Sequence, residues 1–316
     1  YAASLIAMIT PLFLVEKNLL DVIWLFPLLM LGRSINGLLG SATRPAAFAY
    51  TADTSSRDNR TLKFARLESS FLLGTVAGPL IGGFLILITK ETPFYVFSLM
   101  ALIASIGIYK NLETDTAPQK VEIVSKISWF SDSVWPYLAL ASVASLCQAS
   151  LLQSIGFFIT DSFSYLDDLL IITSISFALL SISSIVSQYL FTDSFPLDNY
   201  KLLILGTLLL IFSYFTMGFF SKISVYYLSI IINGFGAGML RPAIASSLSL
   251  SQTPENQGSA AGYLGSVIPI GHILTPLIAM PIYSINPAFL YYFSSLLCIG
   301  SIIFIITHPI FKKSEI

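Results

Sequence analysis

Apolar runs long enough to cross a lipid bilayer as helix recur from one end of this 316-residue chain to the other. No other feature narrows the fold so sharply. In hydrocarbon every backbone N–H and C=O has to be satisfied within the protein, which leaves helices or closed barrels, and about 20 apolar helical residues span a core of about 30 Å. With Gly, Pro and charge clusters as punctuation, ten spans fall near 1–16, 22–50, 64–89, 92–110, 134–159, 169–190, 201–219, 224–249, 258–283 and 286–308. The chain is 55% hydrophobic and only 10% charged, against roughly 25% charged residues in a soluble domain. An all-α, integral multi-pass membrane protein with no large soluble domain follows.

Basic residues set the orientation. Arg57, Arg60, Lys63 and Arg66 lie in one connection, Lys110, Lys120 and Lys126 in another, and Lys201, Lys312 and Lys313 in two more. The alternate connections hold only Lys17, Lys90 and Lys222, while FITDSFSYLDD carries Asp161, Asp167 and Asp168 with no cation. The first set is cytoplasmic by the positive-inside rule. Cys147 and Cys298 both lie in apolar runs, with neither a metal-ligand spacing nor a disulfide framework.

The chain is also self-similar. A shift of 197 positions, without a gap, lays Ile35-Asn36-Gly37 on Ile232-Asn233-Gly234 and Arg44-Pro45-Ala46 on Arg241-Pro242-Ala243. It also lays Asn59 on Asn256, Gly74 on Gly271 and Pro79-Leu80-Ile81 on Pro276-Leu277-Ile278. Parallel repeats of this kind are a transporter architecture. The second half supplies six spans, so the repeat predicts that on the order of 60 residues, two further helices, precede Tyr1. That gives a domain division of 1–112 (a bundle truncated at its start), 113–133 (a polar cytoplasmic linker) and 134–316 (a six-helix bundle). Trp129 and Trp135 suit an interfacial belt.

The 22–50 span carries Leu29, Arg33, Asn36 and Gly37, and AYTADTSSRDNR follows it with Asp53 and Arg60. The next span holds Gly74, Gly78, Pro79, Gly82 and Gly83 in a ten-residue window. In these residues the sequence resembles the major facilitator superfamily, within it the drug:proton antiporters related to tetracycline efflux proteins. The resemblance implies two six-helix bundles, here lacking the first two of twelve helices, and proton-coupled export by alternating access. It also implies a proton-coupling role for Arg33, a cytoplasmic latch for Asp53 and Arg60, and a contact between the glycine face of the 64–89 span and the serine-rich span IITSISFALLSISS.

The residues themselves bear on the chemistry. Arg33 falls near mid-depth, where even mild insertion scales charge roughly 2.5–3.5 kcal/mol for a bare arginine. Its repeat counterpart is Ile230, so the scaffold accepts an aliphatic there and the charge answers to something besides packing. One reading is a cationic group facing a central cavity; the other is an arginine bonded to backbone carbonyls for structure alone. Arg44 and Arg241, each before Pro in both halves, read as architectural. Gly74, Gly78 and Gly82 share one helix face and admit a close neighbour, and Pro79 favours a kink; gating and static packing both fit. No Asp or Glu falls at mid-depth, whereas His272 does, as a proton or substrate ligand or a satisfied interior histidine. Asn36, Gln148, Gln153, Asn233 and Tyr263 are mid-span polar groups that suit a largely apolar cavity or bonds to neighbouring helices.

The expected protein is a proton-coupled exporter of a small organic solute, drug-like or siderophore-like, in a bacterial inner membrane. Its partners are the solute, protons and the bilayer, and it is read as a monomer without cofactor, metal or nucleic acid. An uptake symporter for a sugar or organic acid, and a non-transporting sensor or remnant, are the rival readings. An enzyme is not expected, because no phosphate loop, metal cluster or nucleophile with an adjacent base stands out.

Overall fold

A computed structural model describes residues 2–41, 43, 47, 50, 70–71, 73–74, 77–78, 81–111, 127–191, 197–220, 222–253 and 256–312. The chain divides into two compact units, Tyr1–Lys120 and Val121–Ile316. All regular structure among the described residues is helical.

The first unit contains α1 (Ala2–Glu16), α2 (Leu25–Ser41) and α3 (Thr92–Asn111), with further helical backbone at 81–86. The turn after α1 passes through Asn18 at φ 56, a left-handed position that asparagine tolerates. Asp21 then accepts from the Ile23 amide at 3.1 Å and caps a short 3₁₀ turn, Val22–Trp24, leading into α2. α1 packs on both α2 and α3.

The second unit contains α4 (Trp135–Ser162), α5 (Leu169–Tyr189), α6 (Asn199–Phe219) and α7 (Ile223–Leu250). It continues with α8 (Gln257–Leu274), α9 (Met280–Ile285), α10 (Pro287–Thr307) and α11 (Pro309–Lys312). Between α8 and α9 lies a five-residue π-helical segment, Thr275–Ala279. The sequence reads 258–283 as one unbroken span. Pro276 and Pro281 have no backbone N–H to give the ladder, and the helix widens where those bonds are missing.

Eight helices among the described residues are long and apolar enough to cross a membrane, and Ser4–Glu16 is a shorter apolar helix. The 64–89 span falls largely outside the described residues, so the expected ten appear as eight long helices, one short one and a fragment. The boundaries of α3 to α7 lie within three residues of those read from hydropathy.

Small residues bring the helices of the second unit together. Lipid tails are as apolar as leucine, so burial alone drives little association between membrane helices, and close backbone packing takes over. Gly206 on α6 and Gly236 on α7 face one another: a Cβ on Gly236 would sit 2.8 Å from the Gly206 carbonyl oxygen. Gly234 and Gly238, on another face of α7, press on α5; a Cβ there would collide with Ser183 and with the Ser184 carbonyl. Gly218 on α6 meets the Tyr292 ring of α10, and the Tyr292 hydroxyl donates to the Gly218 carbonyl at 3.1 Å. Four tyrosines, Tyr137, Tyr214, Tyr226 and Tyr291, are fully buried in this unit. Phe158 joins Tyr226 and Tyr291 through ring contacts at 5.5 and 4.9 Å.

Candidate functional site

The mid-span arginine is held by a short polar chain. Arg33 and Asn36 are three residues apart on α2 and so share a face. The guanidinium donates to the Asn36 side-chain oxygen at 3.1 Å, and the Asn36 amide donates to the Ser4 hydroxyl of α1 at 3.0 Å. Asn36 is 2% exposed and Ser4 6%, so the arginine is anchored from beneath by buried groups on two helices while its own side chain stays exposed.

Asn233 holds the equivalent place in the repeat, with a different outcome. Ile230 replaces the arginine, and both side-chain amide atoms of Asn233 are buried without a hydrogen-bond partner among the described residues. The residue is 0% exposed, so it lines no open surface. The Tyr214 hydroxyl lies beside it.

A second group forms where α8 meets α4. Gly271 lets the two backbones approach: a Cβ there would collide with the Ser145 hydroxyl and lie 2.7 Å from the Leu146 nitrogen. Gln153 of α4 donates to the His272 carbonyl at 3.3 Å, and Ser150 pairs with Thr275 at 3.4 Å. The His272 ring is exposed, within electrostatic range of Arg241 on α7. Gln148 is half-buried one turn before Gln153. Sequence reasoning named Gln153 and His272 separately; the structure brings them together through a backbone carbonyl.

Tyr263 is committed elsewhere. Its hydroxyl donates to the Ile127 carbonyl at 2.6 Å, and its ring packs on Trp129 at 4.9 Å. The sequence leaves Tyr263 between lining a cavity and bonding a neighbouring element; these contacts fasten it to the segment leading into α4. Gly82 packs on the Phe97 ring of α3, with a built Cβ 3.6 Å away, while Gly74 and Gly78 have open space beside them among the described residues. Gly83 is half-buried. Asp53, Arg60 and Pro79 lie outside the described residues.

Two groups escaped the sequence reading. The glycines that make the tightest contacts, Gly206, Gly234, Gly236, Gly238 and Gly271, belong to the second unit. Asp161, read as a loop acid, lies within α4 and accepts a hydrogen bond from Tyr283 at 2.6 Å. The hydropathy reading ended this span at residue 159, just before the charge; the helix runs to Ser162.

A profile described as Major Facilitator Superfamily matches residues 1–199, well over half of the chain. The chain belongs to the Major Facilitator Superfamily. It is 27% identical over 290 residues to the quinolone resistance protein NorA of Staphylococcus aureus, covering 87% of this chain and 72% of that protein. It is 24% identical over 283 residues to multidrug resistance protein 1 of Bacillus subtilis, covering 86% and 71%. The tetracycline resistance protein, class B, of Escherichia coli is 41% identical over 76 residues, 24% of this chain and 19% of that one. In three dimensions the chain is similar to a bacterial homologue of the human lysosomal transporter Spinster, solved in an inward-facing and occupied conformation. The TM-score is 0.62 at 14% identity, covering 99% of this chain and 82% of that one. A peptide transporter matches with a TM-score of 0.51 at 15% identity, over 58% of this chain and 39% of that one. This major facilitator protein is therefore an integral, multi-pass transporter of the bacterial membrane, with drug-resistance proteins among its relatives.

Proposed function

We propose that this transporter is a proton-coupled antiporter that exports a small organic solute by alternating access. The observation that carries the reading is Arg33: a guanidinium in an apolar span, hydrogen-bonded to buried Asn36, itself bonded to Ser4, where the second half has Ile230. A cation kept in such a place, at the insertion cost noted above, favours ionised acids or anionic solute groups near it. The names of the relatives, resistance proteins for quinolones and tetracycline, support export over uptake. The solute class is a drug-like or siderophore-like amphiphile. Arg33, His272, Gln148 and Gln153 are the groups proposed to meet solute or protons, and Gly78 with Asp53 and Arg60 the groups proposed to gate.

Twelve helices in all are part of the same reading. The function is tested in inverted membrane vesicles carrying the full-length protein, with an imposed pH gradient and a fluorescent solute. Proton-driven accumulation that Arg33→Ala abolishes at unchanged protein level supports the proposal. Accumulation unaffected by Arg33→Ala, or driven in the opposite direction, overturns it.

A further inference from the structure

Across the eight described spans, seven contain no carboxylate, and α4 contains one, Asp161. It sits in the last turn of the helix, at the end that the charge asymmetry of the connections assigns to the outer face. Its partner, Tyr283, is 7% exposed and belongs to α9, the six-residue piece beyond the π-helical segment. The carboxylate itself is exposed, so one oxygen takes the tyrosine proton donor while the group stays open to water.

The helix that carries Tyr283 is fastened to α4 on both sides of its break. Before the break are the Gly271 contact, the Gln153 bond to the His272 carbonyl and the Ser150–Thr275 pair. After it, Tyr283 to Asp161 is the one described side-chain hydrogen bond between α9 and α4. Single-turn π segments mark places where a helix can change its path. A carboxylate at the far end of such a segment controls whether the distal piece follows α4 or parts from it.

We propose that Asp161 and Tyr283 form a proton-sensitive latch at the outer end of the second unit. With Asp161 ionised, the tyrosine donates to a charged acceptor, and such bonds are about twice as strong as neutral ones. Uptake of one proton from outer water converts the carboxylate to a neutral acid and weakens the bond, freeing Met280–Ile285 to move about the π segment. The other titratable groups at this end are Tyr165, Asp167 and Asp168 in the loop after α4, Tyr226 and Tyr227 on α7 with Lys222 before it, and Tyr291 and Tyr292 on α10. Among these Tyr291 is in electrostatic range of Tyr283. No described cation forms an ion pair with Asp161. The latch deepens the antiport reading and rests on it for its role in transport.

The test places a nitroxide on a cysteine at Ile285, which is 75% exposed, in the full protein in lipid nanodiscs; the native thiols Cys147 and Cys298 are 1% and 3% exposed and stay unlabelled. As the pH falls from about 7 to about 3, past the ordinary aspartate value of about 3.9, the mobile spectral component grows in the wild type. Tyr283→Phe and Asp161→Asn show that larger component already at high pH, a shift of roughly tenfold in the population ratio, and neither responds to pH. A pH-insensitive wild-type spectrum, or a pH response that persists in Asp161→Asn, overturns the latch. The spectra need no solute, so a working latch in a protein that shows no proton-driven movement in vesicles refutes antiport alone.

Discussion

Replacing the paired asparagines by leucine, one in each half, should move stability in opposite directions. Asn36→Leu removes an acceptor for the Arg33 guanidinium and a donor to Ser4. A bond to a charged group contributes about 1.5–3 kcal/mol and interhelical side-chain bonds in membranes average about 0.6, so a loss of about 2–3 kcal/mol follows. Asn233→Leu removes an amide whose nitrogen and oxygen are both buried and unpartnered. Each such orphan costs about 1–3 kcal/mol, and an apolar side chain of similar shape avoids the cost, so a gain of at least about 1 kcal/mol follows. The assay is thermal unfolding of the purified protein in detergent, followed by a thiol-reactive dye. Cys147 and Cys298, buried and free, are ready-made reporters. Asn36→Leu lowers the midpoint and Asn233→Leu raises it, by several degrees each. If Asn233→Leu lowers the midpoint as far as Asn36→Leu does, the Asn233 amide is satisfied in the native protein and the argument from the repeat fails.

Gly238→Ala puts a methyl group against the Ser184 carbonyl of α5; overpacking costs about 1–3 kcal/mol, and the same dye should report an earlier transition. Gly78→Ala meets open space among the described residues and gains up to about 1 kcal/mol of helix propensity, so stability holds or rises; loss of vesicle transport alongside is the signature of a gating face. Tyr263→Phe removes the 2.6 Å bond to the Ile127 carbonyl; a drop of about 1 kcal/mol, read by the dye, with transport retained, would place Tyr263 in structure rather than in the solute path.

Much of the architecture was legible because lipid imposes a blunt rule. A helix that crosses hydrocarbon must be apolar for about 20 residues, and α3, α5, α6, α7 and α10 begin and end where polarity returns. Two things were not legible, for physical reasons. The Thr275–Ala279 segment is as apolar as its surroundings, so hydropathy passes over it; Pro276 and Pro281 were the only signal. Asp161 was read outside the span because a carboxylate ends an apolar run, and the tyrosine that retains it lies 122 residues away. Asn36 and Asn233 illustrate a further limit. Identical residues at equivalent positions look alike in sequence, and only their neighbours separate an anchored group from an orphaned one.

The two halves put their polarity to different ends. In the first, Asn36 holds a cation, with Ser4 behind it. In the second, the asparagine is buried beside Tyr214, and the charged groups lie toward the surface: Arg241 and His272 on facing helices, and Asp161 at one end. A duplicated scaffold needs no such asymmetry to fold, because Ile230 packs at 0% exposure where Arg33 stands in the other half. Substituting Arg for Ile230 makes this testable. Its guanidinium would share a face with Asn233, three residues away, as Arg33 does with Asn36, but inside a sealed core. The loss of stability should exceed that of Ile230→Ala, which costs about 2–5 kcal/mol, because an uncompensated buried charge is added to the lost packing. A variant that unfolds no earlier than the alanine control would show that the second core admits a cation as readily as the first, and the division of labour between the halves would have to be abandoned.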